Sequence, residues 1–263
     1  MALERLCGHT GFEWPKTKVN SFQTSYHPDW AHTPHWQMEQ LLELRETYPV
    51  WRRSSEEELV NAVTHGLGFA ASVAGSLVMM SAVLALHNPV LVVGCGLYLI
   101  SLMAVYAAST LSHSPTSFRS KLLFRQLDQA FIYLLIVGTY TPYALAYLHG
   151  WQWEILMAAM WTVALCGFIA KVFFAHEVHS VPVKTYIALG WMPVVSLPYL
   201  YFAAPAGVFG SIIAGGLCYS VGTYFLMNDH RVRHFHAIWH LCVIAGSSCH
   251  FFGILFFVVH RGA

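Results

Sequence analysis

Two histidines four residues apart in His236-Ala-Ile-Trp-His240, a third at His113 and an aspartate at Asp128 are the residues whose types and spacing suit chemistry in this chain. Side chains at i and i+4 share one face of a helix, with Cβ atoms about 5 to 6 Å apart, so His236 and His240 can grip one metal ion. A third ligand must come from another helix, and His113, at the end of Ser109-Thr-Leu-Ser-His113, suits the task. Three imidazoles with a fourth position left to water is the usual arrangement of a catalytic zinc site, which makes Zn2+ the expected cofactor. Water at such a position has its pKa lowered to about 7, and Asp128 is the group expected to accept its proton or hold it in place. Ser109, one turn deeper than His113 on the same face, is expected to donate to that water or to a substrate carbonyl. The expected metal ligands are therefore His113, His236 and His240, and the expected catalytic groups are Asp128 and Ser109.

Each of these residues has a plainer reading. A lone histidine inside a membrane is more often a hydrogen-bonded packing residue than a ligand, and Asp128 can simply pair with Arg125 or Lys121. The convergence of the set at one depth favours the metal. The other histidines fit less well. His234 lies two residues before His236, on nearly the opposite helix face. His250 lies about 15 Å along the axis from His240, too deep to be a ligand, and reads as an interhelical hydrogen-bonding group. His65 lies at a suitable depth and reads as a packing residue, with a supporting contact to a ligand as the alternative. His176-Glu177-Val178-His179 is one residue short of H-E-x-x-H and reads as a solvated loop.

The elements that must bring these residues together are membrane helices. Of 263 residues, 56% are apolar and only 10% charged, and the mean hydropathy is +0.51, a composition suited to lipid. Crossing about 30 Å of hydrocarbon takes about 20 apolar residues. The sequence offers seven such runs, near Asn61 to Leu86, Pro89 to Leu111, Leu127 to Leu148, Trp151 to Phe174, Val183 to Ala203, Gly207 to Met227 and His236 to Val259. Short connections alternate with charged ones. With a cytoplasmic amino terminus, thirteen of the fourteen basic residues fall inside and only Arg261 outside, so the carboxyl terminus is expected to be external. On this topology the end of the second span, the start of the third and the start of the seventh all reach the cytoplasmic side, which carries His113, Asp128 and the His236/His240 pair to one level. The expected fold class is an all-α integral membrane protein, a seven-transmembrane helix bundle.

Pro142, Pro193 and Pro198 fall inside spans, where each removes a backbone donor and is expected to kink its helix. Gly66, Gly68 and Gly215 are placed to allow close helix approach. The six cysteines are scattered without a C-x-x-C pair and read as small buried hydrophobes. A formal charge of +1 supplies no field for nucleic acid, which is not an expected partner. The organisation expected is a cytoplasmic tail, residues 1–56, and a membrane domain, residues 57–263. No signal peptide is expected, so the first span serves as the insertion signal. Within the tail, Trp36 to Tyr48 mixes leucines with charges and can form a short helix on the membrane surface or on the bundle.

At these residues the chain resembles the hemolysin III family, the bacterial branch of the progestin and adipoQ receptor superfamily. The resemblance is carried by Glu57-Glu-Leu-Val-Asn61-Ala-Val-Thr-His65-Gly66-Leu-Gly, Ser109 to His113, Asp128, Gly190-Trp191-Met192, Gly215 to Thr223 and His236-Ala-Ile-Trp-His240-Leu. It implies seven spans, a zinc held by His113, His236 and His240, and Asp128 in contact with zinc-bound water. It also implies kinship with alkaline ceramidases, which cut a lipid amide. The expected location is the bacterial plasma membrane, and the expected partner is a membrane lipid as substrate. Three functions follow as expectations: a zinc-dependent hydrolase of a lipid amide or ester, a pore-forming or cytolytic protein, and a receptor-like protein whose zinc is structural. Few charges lie away from the ends of the spans, which argues against a wide pore made by one chain.

Overall fold

The helix start of the first span is written in four residues. Ser54 accepts a hydrogen bond on its side chain from the Glu57 backbone N–H (3.2 Å), and Glu57 accepts one from the Ser54 N–H (3.1 Å), a capping box. Glu56, Glu57 and Glu58 in the first turn complement the positive end of the helix dipole. The helix therefore begins at Ser55 and runs to Ala85, six residues ahead of the apolar run at Asn61. A helix can outrun the hydrocarbon when caps and acidic side chains stabilise its polar first turns.

The computed structural model describes residues 53–114, 118–174 and 181–260. They fall within one unit, Tyr48–Ala263. The expected surface helix at Trp36 to Tyr48 and the His176 to His179 loop lie outside the described residues.

All elements of the described residues are helical, and seven segments are long and apolar enough to cross a membrane. After the first come Pro89–His113, Ser120–Tyr147, Trp151–Phe173, Val183–Ala203, Ala206–Met227 and Phe235–Val259. Asn88 caps the second helix, accepting from the N–H groups of Val90 and Leu91, with Pro89 in the first helical position. The third helix begins at Phe118, nine residues before its apolar run, because its polar first turns carry Lys121 and Arg125 onto buried partners.

The prolines do not act alike. Pro142 lies within the unbroken third helix, whereas the fifth span is interrupted. Its first helix, Val183–Trp191, passes into a 3-10 segment, Met192–Ser196, that begins beside Pro193; the helix resumes over Leu197–Ala203 with Pro198 in its first turn. Missing donors at 193 and 198 fall where a helix terminus leaves N–H groups unused anyway. Each of the fourth and seventh spans ends in a π-helical turn, at Ala170–Phe174 and Leu255–Val259.

The third span is the most enclosed. Its Tyr133, Tyr140 and Tyr143 lie in the core, and Tyr140 donates to Ser196 Oγ (2.8 Å) while Tyr133 pairs with Thr185 Oγ1 (2.6 Å), which ties it to the fifth span. The outer surface is apolar, with Phe202, Leu77 and Phe173 each at least 70% exposed, as a lipid-facing surface requires.

The sixth and seventh spans pack along their length, and at Gly246 they approach closely. A Cβ there would lie 2.8 Å from the Tyr219 ring and 3.1 Å from the Gly215 carbonyl oxygen. Because the second obstacle is backbone, Gly246→Ala is expected to destabilise the bundle by about 1–3 kcal/mol. At Gly96, where an added Cβ meets nothing within 4 Å, alanine is expected to stabilise by about 0.5–1 kcal/mol through helix propensity. Thermal unfolding of the two variants in detergent should move in opposite directions.

Candidate metal centre

His113, the last residue of the second helix, meets His236 and His240 from the first turns of the seventh. The three ring nitrogens that can serve as ligands lie within 4.8 Å of one another, and His236 Nε2 is 3.2 Å from His113 Nε2. His234, which precedes the seventh helix, holds a left-handed backbone (φ 63°) and contributes its backbone N–H to Glu57 Oε1 (3.3 Å), not its ring to the cluster.

The other nitrogen of each imidazole is engaged, and its partner sets the tautomer. His113 Nδ1 donates to Glu58 Oε2 (3.0 Å). His236 Nδ1 donates to Asp229 Oδ2 (2.8 Å). Arg53 pairs with the same carboxylate and lies 3.0 Å from the same Nδ1; since a guanidinium only donates, the imidazole proton goes to Asp229. His240 Nδ1 donates to the Asn61 carbonyl (3.2 Å), and the Thr64 hydroxyl, already directed at the carbonyls of Val60 and Asn61, lies 3.1 Å away. Carboxylates and carbonyls can only accept, so all three protons sit on Nδ1.

Three Nε2 lone pairs are therefore turned toward one point. Without a cation between them, two lone pairs 3.2 Å apart repel. Two nitrogens bound to one tetrahedral zinc are about 3.4 Å apart, given bonds of about 2.0 to 2.1 Å. The residues fit a metal ion, and the carboxylate-to-imidazole contacts are the supports that orient metal-binding histidines.

Glu58 and Asp229, whose carboxylates meet two of the three imidazoles, carry no signal of this role in the motifs of the sequence. Glu58 is buried and also accepts from Lys121 Nζ (3.1 Å) and Arg125 (3.2 Å), so three cationic or proton-bearing groups meet one carboxylate. Glu58 is thus a partner of both cations, and Arg125 also acts on Asp128, as the plainer reading of that aspartate expected. Asp229 lies in the connection between the sixth and seventh spans. Burial would raise its pKa, but the hydrogen bond to His236 and the Arg53 charge outweigh that and hold it below the ordinary carboxylate value.

Asp128, on the third span, lines the same cavity as His113 and His236 and feels the charges of Arg125 and Arg53 and the Ser109 hydroxyl. Ser109 Oγ is buried, close enough to act on Asp128 but without a hydrogen bond of good geometry, and Ser109 does not line the cavity, whereas Ser112 does. His65 behaves as a packing residue. Its ring stacks on His240 (centroids 3.5 Å apart, 15° between planes), and both its nitrogens lack partners. His250 departs from expectation: its Nδ1 has no hydrogen-bond partner, because its neighbours are ring faces and a glycine.

The cavity, of about 580 Å³, extends from His113 and His236 along the third, fifth, sixth and seventh spans. Its lining includes Gly190, Trp191 and Val194 of the fifth span and Ile213 and Leu217 of the sixth, all of which are exposed.

A family model described as Haemolysin-III related matches residues 53–251. The chain is 37% identical to Hemolysin-3 of Bacillus cereus over 204 residues, covering 78% of this chain and 93% of that protein. It is 33% identical to the Hemolysin-3 homolog of Bacillus subtilis over 204 residues, covering 78% and 95%. Similarity reaches animals: monocyte to macrophage differentiation factor of Homo sapiens is 27% identical over 164 residues, covering 60% of this chain and 67% of the other, in line with the wider receptor superfamily. With seven membrane-crossing helices and this match over most of its length, the chain is a multi-pass integral membrane protein that belongs to the Haemolysin-III related family.

Proposed function

We propose that this protein is a zinc-dependent hydrolase of a lipid amide or ester in the bacterial plasma membrane, with its metal centre at the cytoplasmic end of the bundle. The observation that carries the proposal is the convergence of three Nε2 lone pairs, each set by a partner on Nδ1, beside a largely apolar cavity lined in part by exposed residues of the fifth and sixth spans. Zinc held there supplies a Lewis acid and a water of lowered pKa, about 7.

The residues of the chain do the rest. His113, His236 and His240 hold the ion, and Glu58, Asp229 and Asn61 keep their rings aimed. Asp128 takes the proton of the attacking water and passes it to the leaving group. Ser109, whose hydroxyl has no other partner, orients Asp128. The gap between the fifth and sixth spans admits the lipid from the side, and the apolar cavity walls exclude bulk water from the reacting carbonyl.

Release of fatty acid from ceramide or from a bilayer lipid extract by purified protein tests this. Asp128→Asn is expected to lose activity by at least about 100-fold, the usual worth of a general base, while retaining its zinc. Equal product release by wild type, Asp128→Asn and His240→Ala would remove the hydrolase. The name hemolysin, borne by the two Bacillus relatives, favours a second reading, cytolysis. Dye leakage from liposomes that is unaffected by Asp128→Asn would support it in place of hydrolysis.

A further inference from the structure

Ten residues beyond His240 on the same helix, His250 lines the deep part of the cavity, about 15 Å from the metal ligand at 1.5 Å per residue. It is only 7% exposed, and its Nδ1 has no hydrogen-bond partner. A buried polar nitrogen left unpaired costs about 1–3 kcal/mol. Nearby hydroxyls are already engaged elsewhere. Tyr143 pairs with Ser211 Oγ (3.0 Å) and donates to the His250 carbonyl (3.1 Å), and Tyr219 pairs with Ser247 Oγ (2.9 Å). Packing alone holds the imidazole. It stacks on the Tyr219 ring (centroids 5.7 Å apart, 20° between planes) and abuts Gly215, where a Cβ would come within 2.3 Å of Nε2.

Building on the reading of the cavity as a lipid site, we propose that His250 forms a second, polar subsite that binds a hydroxyl at the far end of the ligand. A neutral imidazole presents one donor and one acceptor, and a hydroxyl can answer either; a terminal methyl answers neither. The span of about 15 Å is half of the roughly 30 Å hydrocarbon core, the depth of one leaflet. A chain whose head lies at the metal centre therefore brings its tail to the level of His250. The preferred occupant is an acyl chain with polar groups at both ends, not an ordinary fatty acyl chain.

Dodecanoate and ω-hydroxydodecanoate, displacing a fluorescent fatty acid from the purified full-length protein in detergent, distinguish the two, with metal content measured on the same samples. Wild type is expected to bind the hydroxylated probe about tenfold more tightly, the worth of one buried hydrogen bond. His250→Phe keeps a ring of similar size and is expected to lose the preference while still binding dodecanoate; His250→Met serves if the Phe variant does not fold. His250→Gln, which retains a donor and an acceptor, is expected to keep most of it. Equal binding of both probes by wild type overturns the subsite and leaves the lipid cavity standing. Binding of neither by protein that holds its metal overturns the cavity reading, and the subsite with it.

Discussion

Replacing His240 with alanine is expected to leave the purified protein with less than a tenth of an equivalent of zinc, where wild type carries about one. The ring is buried at 1% exposure on the seventh helix, its Nδ1 is tied to the Asn61 carbonyl, and only its Nε2 is free to bind a metal. Two imidazoles cannot hold zinc as three do, and alanine leaves a hollow beside the stacked His65 ring. His236→Ala should behave the same way. His234→Ala should not, since that residue enters the site only through its backbone. Elemental analysis of the purified proteins decides the matter, and metal in His240→Ala at the wild-type level would refute the three-histidine site. Chelation separates the possible roles of the metal. A stripped protein that keeps its melting temperature but loses turnover has a catalytic ion, and one that melts has a structural ion.

Glu58→Gln is expected to be the most damaging single change away from the ligands themselves. The carboxylate is buried against His113, Lys121 and Arg125, so neutralising it removes a negative charge that both buried cations share. Breaking a buried ion pair by removing one partner costs about 3–5 kcal/mol. The same change replaces the charged acceptor of the His113 Nδ1 proton with a neutral amide oxygen, and weakening such a support typically lowers metal affinity about 10- to 100-fold. Thermal unfolding in detergent and zinc titration against a chelator should thus both shift. Glu58→Asp retains the charge and should recover part of each. A Gln variant with wild-type melting and zinc affinity would show that the cluster does not depend on this charge.

Much of this arrangement is legible in the sequence, for reasons particular to each element. Apolar runs revealed all seven spans because lipid imposes a composition that little else produces. The i, i+4 pair His236/His240 is a local pattern, and the topology alone brought His113 to the same level. The helix starts at Ser55 and Phe118 were placed too late because the runs were judged by apolarity, whereas Ser54-x-x-Glu57 was the better signal. Glu58 was missed for a related reason. Glu58, Asn61, His65, Gly68, Ser72 and Ser76 recur at three- and four-residue spacing and form the buried face of the first helix. In a membrane helix the polar and small side chains turn inward, so that stripe was the visible sign. Asp229 had no such sign, since a connecting segment has no periodicity, and the want of a partner at His250 Nδ1 could not be read from its position in a helix.

The ionic cluster at the start of the third helix also bears on how the helices come together. Lys121 and Arg125 are buried and meet a carboxylate supplied by the first helix, made more than sixty residues earlier. Alone, the segment would hold those cations in its polar first turns, ahead of the apolar run at Leu127, without the Glu58 carboxylate. Docking of the third helix on the first is therefore expected to be favoured by charge as well as by packing, since it brings two cations onto one carboxylate.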